Sequence, residues 1–150
     1  MKRLIIYVVL MIAVLLIPTE RTDLEKLKPV EAVLVYREEE QIVITTDTAD
    51  LGRGESIDAA LKNLKESAPG IIYLDTADYL LITQDTEEQI LQLRGNLKGT
   101  VRICMTEGEI DMERVGEYLS VHKPEKKLRD WKAGDAIEIL YSEDDRLILK

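Results

Sequence analysis

A handful of side chains in this sequence have the types and spacing to do chemistry. Gly52-x-Gly54 stands just ahead of a helical pattern, where free backbone N–H groups could hold an anion. It lacks the third glycine of a dinucleotide loop and the Gly-Lys-Ser/Thr of a phosphate loop, so it reads as two glycines shaping a loop before a helix cap. Glu107, Glu109 and Asp111 alternate around Gly108, and oxygen donors so spaced could hold a calcium ion. The EF-hand order is missing, and Asp111 is wanted as a helix cap. Asp75 and Asp78 could pair as carboxylates for acid–base work, although aspartates at strand ends are ordinary loop formers. Glu143-Asp144-Asp145 reads as a solvated hairpin tip. His122 is the only histidine and Cys104 the only cysteine. No serine or cysteine can be paired with His122 from the sequence, which makes it a solvated surface residue. Cys104 lies in Val101-Arg102-Ile103-Cys104-Met105, an apolar strand pattern in which it is a buried small hydrophobe. No constellation reaches the specificity of a catalytic site. The expectation is therefore a protein that is not an enzyme, with no catalytic, cofactor-binding or metal-ligating residues. The alternative is a carboxylate-based metal-binding or hydrolytic module, which needs Glu107, Glu109 and Asp111, or Asp75 and Asp78, to converge in a pocket.

The elements that would position these groups have a globular composition, 33% charged and 45% hydrophobic. With one Trp and no Phe, packing falls to Leu, Ile and Val. The net charge is −9. Lys2 and Arg3 precede the first acid, so the chain from Glu20 onward sets 18 basic groups against 29 acidic ones. Such a surface repels nucleic acid and anionic lipid head groups. The most basic run, Lys123 to Arg129, is broken by Pro124 and Glu125 and reads as a solvated helix start.

Leu4 to Ile17 is an unbroken apolar run of 14 residues behind Lys2-Arg3, closed by Pro18. As a helix it spans roughly 21 Å, short for a bilayer core of about 30 Å and typical of a signal-peptide core. Yet Leu15-Leu16-Ile17-Pro18-Thr19 offers no small-x-small cleavage site. The reading is an uncleaved signal anchor over residues 1–19, a juxtamembrane linker over 20–29 and an extracytoplasmic α+β domain over 30–150. The positive flank stays inside, which gives a single-pass protein of the cell membrane.

Within the domain, Val30 to Arg37 and Gln41 to Asp47 predict a hairpin around Glu38-Glu39-Glu40. A loop over 48–54 leads to Ser56 as an N-cap. Ile57, Ala60, Leu61 and Leu64 then repeat at helical spacing until Pro69-Gly70. Ile71 to Asp75 and Tyr79 to Thr83 are short apolar strands. Thr86-x-x-Gln89 has the form of a capping box for a helix burying Ile90, Leu91, Leu93 and Leu97. Thr100 to Met105 is a strand. Asp111 caps a third helix with Met112, Val115, Tyr118 and Leu119 inward. After a polar connector, Ala136 to Tyr141 and Arg146 to Leu149 close a second hairpin. The order ββαββαβαββ predicts a mixed sheet packed by about three helices, its apolar central strands innermost. Asp-Thr-Ala-Asp occurs twice, at Asp47–Asp50 and Asp75–Asp78, each after an apolar strand, and reads as two similar strand exits.

The stretch Gly54-Glu55-Ser56-Ile57-Asp58-Ala59-Ala60-Leu61-Lys62-Asn63-Leu64, followed by Ile71-Ile72-Tyr73-Leu74 and Tyr79-Leu80-Leu81-Ile82, resembles the N-terminal region of the Ger(x)C family, the C-type subunits of spore germinant receptors. The resemblance covers Val30 to Ile103. Those subunits resemble lipoproteins with an acylated cysteine, which this N-terminus lacks, and they continue into further domains. Their glycine-histidine pair before the second strand is Thr76-Ala77-Asp78 here. The resemblance implies a stand-alone, non-enzymatic and membrane-apposed relative in a spore-forming bacterium. It also implies a protein partner in receptor assembly, and it supplies no functional residues.

Overall fold

A computed structural model describes residues 27–150. The signal anchor read at residues 1–19, with its Leu4–Ile17 run, and most of the 20–29 linker lie outside the described residues. Among the described residues no helix is long and apolar enough to cross a membrane.

The chain forms an α+β domain around a mixed seven-stranded sheet. Its strands are β2 (Ala32–Glu38), β3 (Gln41–Thr46), β4 (Leu51–Gly54), β6 (Tyr79–Ile82), β7 (Arg102–Glu107), β8 (Ile139–Glu143) and β9 (Arg146–Leu149). They lie in the order β4-β3-β2-β6-β7-β8-β9. β2, β6, β7 and β8 run parallel to one another, and antiparallel strands finish both edges. The four residues of β6 are buried throughout, as a strand covered on both faces requires. A separate small sheet pairs β1 (Leu27–Pro29) with β5 (Ile71–Tyr73) in parallel.

Helix α1 (Ile57–Ser67) buries Ile57, Ala60, Leu61 and Leu64, the stripe its spacing predicts, and the Ser56 hydroxyl accepts from the Ala59 N–H at its start. It covers one sheet face together with α2 (Glu87–Ile90) and the 3-10 turns after it. Helix α3 (Met112–Val121) covers the other face, packing Val115 and Leu119 onto Leu34, Leu81 and Cys104. Asp111 caps α3 by accepting from the Glu113 N–H at 3.1 Å. Met112 and Tyr118, expected inward, are half-buried at its margin.

Several expectations change in the structure. The last residues of the stretch read as linker are strand β1, because Leu27–Pro29 aligns with the apolar run Ile71–Tyr73. Residues 51–54 of the expected loop are edge strand β4, hydrogen-bonded along β3. The capping box does not form. The Thr86 hydroxyl instead donates to the Val35 and Thr83 carbonyls, so α2 is a single turn that continues as 3-10 helix and leaves Leu91 exposed. The Lys123–Arg129 run does not start a helix. Lys126 to Leu128 lie along the first half of β7, whose second half pairs with β8. The connector read as polar thereby buries Leu128 and Trp131. The second hairpin begins at Ile139 and not at Ala136.

The connector is tied back through Lys126, which reaches Asp135 at 2.9 Å. The hydrogen bond from the Lys126 side chain, helped by the Lys132 backbone N–H, holds the Asp135 carboxyl below its ordinary value of 3.8. Stabilisation from a depressed carboxyl is complete above the ordinary value and is lost as pH falls through the lowered one. Asp135→Asn is therefore expected to be less stable than the parent at neutral pH, with a gap that closes in acid below pH 3.8. Denaturant unfolding at the two pH values measures this, and a gap that persists unchanged in acid assigns the loss to packing.

Candidate binding cleft

The parallel strands β2, β6 and β7 bring their carboxyl ends together, the place where open α/β sheets bind ligands. A cleft of about 710 Å³ opens there and runs along the sheet face beside α3. One wall is the loop from Gly108 into the start of α3, and the other is the exposed side of β2 and β3. Leu34, Tyr36 and Ile110 give it an apolar lining. Asp85, Glu109, Asp111 and Glu113 stand around it as carboxylates, with Arg37 as the cation. With the Gln89 amide turned so that its oxygen faces Arg37, that oxygen accepts from Arg37 Nη2 at 3.0 Å, which holds the guanidinium toward α2.

Thr106 belongs to this cleft. Alternation along β7 puts it on the face of Cys104, at the strand's carboxyl end. The residue is 3% exposed, and its hydroxyl has no hydrogen-bond partner among the described residues. Leaving a buried hydroxyl unpaired costs on the order of 1–3 kcal/mol. The other threonines lining the cleft, Thr45, Thr46 and Thr83, all hydrogen-bond within the protein.

The groups singled out in the sequence fall in different places. Glu109 and Asp111 line the cleft, while Glu107 does not. Among the described residues no set of three His, Cys, Asp or Glu side chains is arranged to hold a metal ion. Asp78 pairs with Lys98 at 3.0 Å, and Asp75 sits in the turn after β5 beside a different groove. His122 ends α3 with its ring stacked on Tyr118 at 4.6 Å. Asp144 and Asp145 form the β8–β9 turn, both with positive φ, and Asp145 meets Arg114 at 3.3 Å.

Gly52 and Gly54 hold no loop. They let β4 lie against α1, since a Cβ on Gly52 would come within 2.3 Å of the Ala60 carbonyl oxygen and one on Gly54 within 2.5 Å of the Ala60 nitrogen. The two Asp-Thr-Ala-Asp segments both grip the chain entering β2. The Asp47 carboxylate accepts from the Glu31 N–H, and the Thr76 hydroxyl bonds both the N–H and the carbonyl of Val30.

Cys104 is fully buried, and burial pushes its thiol up to about 12. The thiolate is the reactive form. A thiol-reactive disulfide is therefore expected to label the native protein orders of magnitude more slowly than free cysteine, with labelling rising along the unfolding curve. Rapid labelling of the folded chain would show an opening of the α3 face.

Comparison with protein families, curated proteins and solved structures finds no match. The cleft is thus read from its own residues. Of its lining, the sequence alone marks Glu109 and Asp111, as oxygen donors, and gives no reason to group Thr106, Tyr36 and Arg37 with them. Thr106 is legible only as a hydroxyl two residues after Cys104, on the same face of an inner strand.

Proposed function

We propose that this chain is a non-enzymatic interaction domain of a bacterial envelope, anchored in the cell membrane by Leu4–Ile17 and exposed on the extracytoplasmic side. The observation that carries the proposal is the positively flanked apolar run ahead of a domain with a strongly acidic balance. The way the chain enters the domain fits it. Leu27 lies ten residue steps beyond Ile17, a reach of at most about 36 Å. Strand β1 then fixes the incoming chain to β5, and Lys28 meets the buried Asp50 at 3.3 Å. Ile71 and Tyr73, each 47% exposed, lie on that same β5 strand. An anchored domain would hold this apolar pair beside the bilayer, where tyrosine is favoured. The Ger(x)C-like stretch adds a germination-linked setting and a protein partner to the proposal.

The test is a C-terminal tag at Lys150, followed by fractionation and external protease in growing and in sporulating cells. Membrane retention with an accessible tag supports the anchored topology, and appearance confined to sporulation supports the germination setting. A soluble, protected protein present throughout growth overturns both.

A further inference from the structure

We propose that the cleft beside α3 binds a small organic cation, an amine or guanidine on an apolar body, whose N–H group donates to Thr106 Oγ1. This goes beyond the anchored-domain reading and holds for either topology.

The first observation is the hydroxyl. Thr106 is 97% buried, taking its 3% exposure from the whole, and it lines the cleft with no partner among the described residues. Buried polar atoms are nearly always satisfied, so one left unpaired on a residue that lines a cavity marks a place where a ligand atom completes the bonding. The second observation is the charge around it. Asp85, Glu109, Asp111 and Glu113 outnumber Arg37 by four to one. The N-terminus of α3, which would otherwise favour an anion, is already capped by Asp111. A cation is the complementary ligand. The third observation is the lining: Leu34 and Ile110 offer contact for an apolar body, and the Tyr36 ring offers a face to an adjacent positive charge. At about 710 Å³ the cleft lies within the range of small-molecule sites. Among the described residues the carboxylates do not group as the ligands of a metal ion.

The full chain, in nonionic detergent, would be titrated with 2-phenylethylamine and, separately, with phenylacetate, following backbone amide shifts by NMR. The amine is expected to give saturable shifts at Tyr36, Thr106 and Gly108 through Met112, and phenylacetate none at these positions. Thr106→Val keeps the shape and removes the hydroxyl. It is expected to weaken amine binding roughly tenfold, the loss of one hydrogen bond to a charged group, while the folded chain stays as stable as the parent or more so. Glu109→Gln with Glu113→Gln is expected to weaken it severalfold, with less sensitivity to salt. Shifts of equal size with phenylacetate, no saturation with the amine, or unchanged affinity in Thr106→Val would each overturn the proposal. An acetylated Lys-Leu-Lys peptide that binds far more tightly than the amine would also overturn it, assigning the cleft to a partner protein's side chain.

Discussion

Gly52→Ala is expected to destabilise the protein by about 3 kcal/mol, the upper end of the cost of overpacking a closed interface. The added methyl would lie 2.3 Å from the Ala60 carbonyl oxygen, 2.5 Å from the Leu64 nitrogen and 2.6 Å from the Leu64 Cβ. Two of these atoms are helix backbone, which no rotamer change can move aside. Helix α1 must therefore lift from β4, taking Ile57, Leu61 and Leu64 partly out of the core. Gly54→Ala meets Ala59 and Ala60 in the same way and is expected to behave alike. Gly95→Ala is the control. Nothing lies within 4 Å of its added methyl, so it should be neutral or stabilising by up to about 1 kcal/mol through the unfolded chain. Denaturant unfolding of the three variants compares them directly. A Gly52→Ala protein as stable as Gly95→Ala would mean that α1 can move off β4 without loss of core packing.

The same contact explains what the sequence hid. A strand of Leu-Gly-Arg-Gly has little of the β-branched or aromatic character by which strands are recognised. It exists because β3 supplies the hydrogen bonds and α1 needs a surface without side chains. The α1 stripe was readable because all four of its apolar positions face one core, and Ser56 and Asp111 were readable as caps because their bonds are local. Thr86 misled for the opposite reason: its hydroxyl bonds to Val35, which is 51 residues away. The cleft has the same origin. Parity along β7 fixes the face of Thr106, but one cleft gathers Thr106 with Tyr36, Arg37 and Asp85 only because β2, β6 and β7 lie side by side. Local pattern carries no information about strand order.

Trp131→Ala is expected to cost about 3–5 kcal/mol, although the residue lies in a connector that its composition marks as polar. The indole is fully buried, in the same cluster as Leu97, Val101 and Leu128. The backbone around it is anchored as well: Leu128 N–H donates to Val101, Trp131 N–H donates to Lys127, and Arg94 donates to the Trp131 carbonyl. This connector thus seals the sheet face that α1 and α2 leave open beside β7. The indole N–H has no partner among the described residues, and an unpaired buried donor carries its own penalty of about 1–3 kcal/mol. Trp131→Phe loses volume but also removes that penalty, so it should cost less than half as much as alanine. Circular dichroism is the readout for the variants. In the parent, Trp131 is the only tryptophan, and its fluorescence should shift to longer wavelength in the same transition as the loss of secondary structure. If the fluorescence shifts at lower denaturant, the 123–135 connector opens before the sheet does, and the core of this domain ends at β7.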